Sequence, residues 1–213
     1  MLTVHHLGVS QSDRIVWLCE ELNIPYTLVK YDRDPATGLA PEAYRALHPY
    51  GTAPVITDGN ITLGESGAII QYILARYGEN RLVPPVASPE FADYLYWFHF
   101  SNASLMPGCL VEMAFSTLPD HENYPVLAIF SDRTTRAFDM IEERLRLNPY
   151  FAGTEFSAAD IMMLFPLTTM RTFVDRDISG YPHLKTYLQR ISNRSAWKKA
   201  KQVADPDFTI KLD

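Results

Sequence analysis

The spacing of apolar positions changes several times over the first eighty residues, and each change predicts an element. Leu2–Leu7 mixes β-branched and apolar residues ahead of Gly8, the composition of a strand. Ile15, Leu18, Cys19 and Leu22 then recur at i, i+3, i+4 and i+7, one face of a helix. Asn23 and Pro25 stop that helix, Tyr26–Tyr31 returns to strand composition, and residues 32–40 carry the Asp, Pro and Gly of a loop. Pro41-Glu42 opens a short helix to about Leu47, which His48-Pro49-Tyr50-Gly51 ends. Val55–Thr57 and Ile61–Leu63 flank Asp58-Gly59, a strong hairpin signal because both turn residues tolerate positive φ. Beyond Gly64-Glu65-Ser66, Ile69, Ile70, Ile73 and Tyr77 follow a helical period, with Gly78 expected at the C′ position. The order predicted is β-α-β-α-β-β-α.

Arg81–Pro89 holds three prolines among small residues, the composition of an exposed connector. The chain is therefore divided into an α/β domain over 1–80, a linker over 81–88 and an all-α domain over 89–213. Ser88-Pro89-Glu90 supplies an N-cap, a first-turn proline and an early acid for the second part. Pro107-Gly108, Pro119, Asn148-Pro149 and Gly180-Tyr181-Pro182 are expected to separate its helices.

Composition narrows the function classes. With 213 residues and 47% hydrophobic content, the chain is able to bury a substantial core. A formal charge of -6 provides no electrostatic footprint for nucleic acid. Cys19 and Cys109 stand far apart and in no metal-ligand spacing, so neither a disulfide framework nor a metal site is expected. The absence of a basic leader and of any long apolar run fits a soluble, unprocessed, cytoplasmic protein without a membrane partner.

Several residues offer chemistry, each beside a plainer account. Ala53-Pro54 enters a strand; a cis bond there turns the backbone of Ala53 outward to pair with a peptide-like ligand, whereas the dipeptide alone favours an ordinary trans proline. Ser66 at a helix start attracts an anion and Glu65 an ammonium group, or the two are a cap and a solvated acid. Ser10 lies between the first strand and first helix, where a hydroxyl and a helix N-terminus stabilise a thiolate; equally, Ser10-x-x-Asp13 is a capping box, or Ser12 is the cap. Cys19 lies on the inward stripe, and Met162, Met163 and Phe165 look like core filling. His5, His6 and His48 have no Asp, Ser or Cys partner at a recognisable spacing and read as structural. Phe91, Tyr94, Tyr96, Trp97, Phe98 and Phe100 exceed what one helix face buries, which implies a second apolar contact, with a substrate, a subunit or the rest of the helical core.

In combination these features resemble the cytosolic glutathione S-transferases over essentially the whole chain. The resemblance is carried by residues 9–22, Gly51-Thr52-Ala53-Pro54-Val55-Ile56, Glu65-Ser66 with Ala68-Ile69-Ile70, and residues 151–160, where Ser157 looks like the N-cap and Asp160 the N3 acid of a buried helix cap. It implies a thioredoxin-like first domain that binds glutathione and a helical domain that takes the electrophile. It further implies Glu65 and Ser66 at the γ-glutamyl end, Ala53 pairing with the cysteinyl unit through a cis Pro54, and Ser10 donating to the thiolate, with Ser12 as the alternative. Ser10 is not basic enough to act as a base, so bulk water is expected to take the thiol proton. Thr52 replaces a basic residue common in the family, which leaves the glycyl carboxylate to His48 or Arg33. Phe98, Asn102, Met106 and Phe165 are expected to line the electrophile pocket, and a homodimer is expected. The activity implied is conjugation of glutathione to small hydrophobic electrophiles in detoxification. A different glutathione-dependent reaction, or a non-catalytic binding module on the same fold, stands as the alternative.

Overall fold

β1 (Leu2–Leu7) lies inside a four-stranded sheet of order β2-β1-β3-β4, with β2 spanning Thr27–Tyr31, β3 Val55–Asp58 and β4 Ile61–Gly64. This computed structural model describes residues 1–79, 81–120 and 123–213. β1 runs parallel to β2 and antiparallel to β3, and its near-continuous burial is that of a strand covered on both faces. α1 (Asp13–Leu22) crosses between β1 and β2, the brief α2 (Glu42–Arg45) precedes β3, and α3 (Ser66–Tyr77) follows β4. Tyr44 of α2 packs with Leu7 and Val55 and donates its hydroxyl to the His5 carbonyl at 3.3 Å.

Two local details differ from the sequence pattern. The hairpin turn falls on Gly59-Asn60, because Asp58 pairs with Ile61 and stays in the strand. Its carboxylate is held there by the Tyr72 hydroxyl at 2.8 Å and the Tyr77 hydroxyl at 2.5 Å. At the end of α3, Gly78 keeps a helical φ of -82° and the left-handed conformation passes to Glu79. α1 ends as its sequence predicts, on left-handed Asn23 with φ 50°.

Contacts divide the chain into two compact units, Met1–Leu82 with Ser192–Thr209, and Val83–Ile191 with Ile210–Asp213. The segment 89–213, read from sequence as one helical part, thus contributes α9 (Ser195–Ala204) to the first unit. Ion pairs across 173 or more residues account for this, and nothing local in the sequence reveals them. Glu21 of α1 takes Arg194 in two bonds of 2.7 and 2.8 Å, and Glu20 takes Lys199 at 2.6 Å.

In the second unit, α4 (Glu90–Phe100) runs through a π turn (Ser101–Leu105) into α5 (Met106–Ser116). The break expected at Pro107-Gly108 is absent. Pro107 sits in the first turn of α5, where a missing N–H is harmless, and a Cβ on Gly108 would lie 2.4 Å from Thr134 Oγ1 of α6 (Pro125–Leu147). α7 (Ala158–Leu167) is buried on every side, so Met162, Met163 and Phe165 are core residues. α8 (Pro182–Ser192) begins at the predicted proline. Tyr94, Trp97 and Phe98 of α4 are buried, while Leu95 and Tyr96 are exposed.

Candidate functional site

Strand register brings the first unit's candidates to one edge of its sheet. His5 pairs with Val55 and Val55 with Gly64, so the segment leaving β1, the Ala53-Pro54 bond and Glu65-Ser66 emerge side by side. The Ala53-Pro54 peptide is cis. The His48 ring belongs to the same edge, its Cε1 3.3 Å from where a Cβ on Gly64 would stand. Thr52 is exposed two residues before Pro54.

Each of the two serines thought to meet a ligand follows a residue with positive φ, Val9 at 50° before Ser10 and Glu65 at 69° before Ser66. Such values are uncommon for any side chain and strained for a β-branched one, so surrounding bonds must impose them. Around Val9 they are visible. Its N–H donates to Asp205 Oδ1 at 3.2 Å and its carbonyl accepts from Arg33 at 3.0 Å. Arg33 also donates to the Gly8 carbonyl at 2.9 Å and to that of Gly38 at 3.0 Å, so this candidate for the glycyl carboxylate is a loop brace.

Ser10 is 6% exposed, and Ser12, the N-cap of α1, is fully buried. Ser10 Oγ lies 2.7 Å from the Leu7 carbonyl and 2.8 Å from Ser12 Oγ. Ser12 Oγ in turn lies 2.9 Å from His6 Nδ1, and His6 Nε2 lies 3.1 Å from Asp205 Oδ2. His6 therefore has both a Ser and an Asp partner, which its sequence surroundings did not reveal. The signal was hidden because Asp205 is 199 residues away. Burial works to raise the Asp205 carboxyl, but the His6 hydrogen bond, the nearby Lys201 charge and the Val9 N–H together hold it below the ordinary carboxylate value. His5 conforms to expectation, its ring fixed by the Tyr31 hydroxyl at 3.2 Å and the Thr57 hydroxyl at 3.1 Å.

Behind Ser66 lies a group that sequence reading missed. Ser66 Oγ donates to Gln11 Oε1 at 3.3 Å, and Arg14 Nη1 reaches both Gln11 Oε1 at 2.5 Å and Ser66 Oγ at 3.4 Å. Arg14 is 1% exposed, and burial brings its guanidinium down to about 10 despite the Asp13 charge, so it stays cationic at neutral pH. An arginine inside the apolar stripe of a helix was the available clue. The result is a buried positive charge beneath the N-terminus of α3, with exposed Glu65 at its rim: a place for an anion beside a place for a cation.

The residues expected to line the electrophile pocket are placed differently. Phe98, Met106 and Phe165 are 1%, 4% and 6% exposed, so their side chains fill the core and present little surface to a ligand; Asn102 is half-buried. Both thiols are buried: burial and Glu20 raise that of Cys19, and burial pushes Cys109 up to about 12, so neither is a nucleophile. Among the described residues no helix is long and apolar enough to cross a membrane, and no cluster of three or more His, Cys, Asp or Glu residues is placed to hold a metal.

Residues 5–81 match the family model of the glutathione S-transferase N-terminal domain, and residues 108–195 that of the C-terminal domain. Glutathione S-transferase 3 of Schizosaccharomyces pombe is 34% identical over all of this chain and 92% of its own length. Glutathione S-transferase 1 of Saccharomyces cerevisiae is 28% identical over 96% of this chain and 95% of its own. A solved glutathione S-transferase from Actinobacillus pleuropneumoniae, 33% identical, superposes with a TM-score of 0.88 over 98% of this chain and 97% of that one. The sheet edge with its strained serine loops thus stands in a protein that belongs to the glutathione S-transferase family.

Proposed function

We propose that this glutathione transferase binds reduced glutathione along the sheet edge of its first unit and conjugates it to a small hydrophobic electrophile. The observation that carries this reading is the convergence there of Ser10, the Ala53 backbone and Glu65-Ser66, with Arg14 buried behind the last pair. Glu65 takes the α-amino group of the γ-glutamyl unit, and Ser66, backed by Gln11 and Arg14, takes its carboxylate. Ala53 pairs with the cysteinyl backbone as one more strand does, and Thr52 and His48 face the glycyl end.

In this arrangement the Ser10 hydroxyl turns from the Leu7 carbonyl to the sulfur and donates to the thiolate, which lowers the thiol pKa by favouring its charged form. The thiolate then attacks the electrophilic carbon, forming a thioether and expelling the leaving group or adding across an activated bond. Ser12 is sealed from solvent and acts on the sulfur only through Ser10. We further assign a homodimeric state, for which exposed Leu95 and Tyr96 of α4 offer apolar surface.

Ser10→Ala tests the reading. Loss of a hydrogen bond to a charged group is expected to lower kcat/KM for an aryl halide by about tenfold to a hundredfold and to raise the thiol pKa in the binary complex, with the glutathione Kd changed less than about twofold. Unchanged turnover together with an unchanged thiol pKa, read from thiolate absorbance, would remove Ser10 from the site.

A further inference from the structure

Asp205, His6, Ser12 and Ser10 form one continuous hydrogen-bonded chain, with spacings of 3.1, 2.9 and 2.8 Å. Its proton positions follow from chemistry. A carboxylate only accepts, so His6 Nε2 carries the proton facing Asp205, and in the neutral ring Nδ1 is left to accept from the Ser12 hydroxyl. Ser12 Oγ also accepts from the Leu7 N–H at 3.2 Å and, once the Ser10 hydroxyl turns from the Leu7 carbonyl to which it donates at 2.7 Å, is placed to accept it. Ser10 Oγ accepts the Ser12 N–H at 3.2 Å and keeps one lone pair for an incoming thiol.

We propose that His6 is the base that receives the thiol proton of glutathione, through the hydroxyls of Ser10 and Ser12. The proposal rests on the reading that places the sulfur against Ser10. The S–H bond breaks as its proton passes to Ser10 Oγ, the proton of Ser10 passes to Ser12 Oγ, and that of Ser12 passes to His6 Nδ1. Both hydroxyls are regenerated with their direction reversed, so Ser10 now donates to the thiolate and Nδ1–H donates to Ser12. The imidazolium is held by Asp205 until the thiolate is consumed. Its proton then leaves through a cavity of about 400 Å³ that His6 and Asp205 line together with Gly8, Val9, Lys30 and Phe208.

Asp205 is well fixed for this positioning role, since its second oxygen accepts the Val9 N–H and thereby ties the imidazole to the strained residue before Ser10. The charged groups around the ring are Lys201 from α9 and Asp205 just past its end, Asp13 with neighbouring Arg14 from α1, and Lys30 and Arg33 from β2 and the loop after it. Ser12 and His6 are both fully buried, so along the chain the proton passes between protein groups and meets solvent only at the cavity beside His6 and Asp205.

The test is the protonation state of His6 in protein labelled with nitrogen-15 histidine. Adding glutathione at neutral pH is expected to move Nδ1 of His6 from its unprotonated to its protonated shift, whereas S-methylglutathione, which brings no thiol proton, leaves it unmoved. Ser12→Ala interrupts the chain while leaving the His6–Asp205 pair intact; it is expected to abolish that shift and lower kcat/KM about a hundredfold, with the glutathione Kd retained. His6→Asn should match it in turnover and identify the resonance; if that variant does not fold, sequential connectivity makes the assignment. A thiolate that forms with His6 still neutral would overturn the relay and leave Ser10 as its donor. A thiolate unaffected by Ser10→Ala would instead overturn the placement of the sulfur.

Discussion

Ser10-x-x-Asp13 in the first unit and Ser157-x-x-Asp160 in the second share a sequence pattern and do different work. In the second, the pattern is a capping box. Asp160, fully buried, accepts the Ser157 N–H at 2.9 Å, the Ser157 hydroxyl at 3.1 Å, the Phe151 N–H at 3.0 Å and the Tyr187 hydroxyl at 3.2 Å. Every bond points toward a carboxylate and cannot reverse, which suits a structural anchor. In the first, Ser12 occupies the N-cap position of α1 but its side chain makes no cap bond to the helix, and the Ser10 hydroxyl bonds to the Leu7 carbonyl and Ser12. Hydroxyls accept and donate interchangeably, so that chain has two states of similar geometry. The direction freedom of the partners, and not the motif, separates an anchor from a proton path.

The comparison is sharpened most by Asp160→Ala, which strands four buried donors. A stability loss of about 3 kcal/mol, with turnover per folded molecule unchanged, is expected from denaturant unfolding. A loss below about 1 kcal/mol would show that the box is not an anchor. Its pH signature has a definite sign. Burial raises the Asp160 carboxyl to about 6 in the folded state against the Phe151, Ser157 and Tyr187 donors, above the ordinary unfolded value near 4. The folded state therefore binds this proton more tightly, so the contribution of Asp160 is largest below pH about 4 and declines as pH rises through about 6. Asp160→Asn should flatten that part of the stability profile.

A smaller effect is expected at the other end of the site edge. Glu65→Ala removes one charge-assisted bond at an exposed position and should raise the glutathione Kd by about tenfold with melting temperature held, as read by calorimetry. An unchanged Kd would take Glu65 out of the site. The smallest effect belongs to Ser157→Ala, about 1 kcal/mol of stability without loss of turnover. If that serine affected kcat while Ser10→Ala affected only stability, the contrast between the two motifs would be reversed.

Much of this protein was legible locally. The β-α-β-α-β-β-α order, the helix stops at Asn23 and Asn148, and the Ser157–Asp160 cap are set by contacts within a few residues. The turn shifted from Asp58-Gly59 to Gly59-Asn60 because tyrosines of α3 hold Asp58, and the break at Pro107 vanished because first-turn proline and close approach to Thr134 allow the helix to continue. Assigning Phe98, Met106 and Phe165 to a pocket failed to anticipate their burial, since periodicity does not distinguish a core face from a ligand-facing one.

By itself the sequence determined the element order, the family and the sheet edge that carries Ser10, Ala53 and Glu65-Ser66, because periodicity, turn chemistry and short motifs act over neighbouring residues. The tertiary structure alone decided that α9 joins the first unit, that Arg14 lies beneath Ser66, and that Asp205 meets His6. Those contacts bridge 52 and 199 residues, and pairing of buried polar groups over such separations is selected by the packed fold and leaves no periodic trace along the chain.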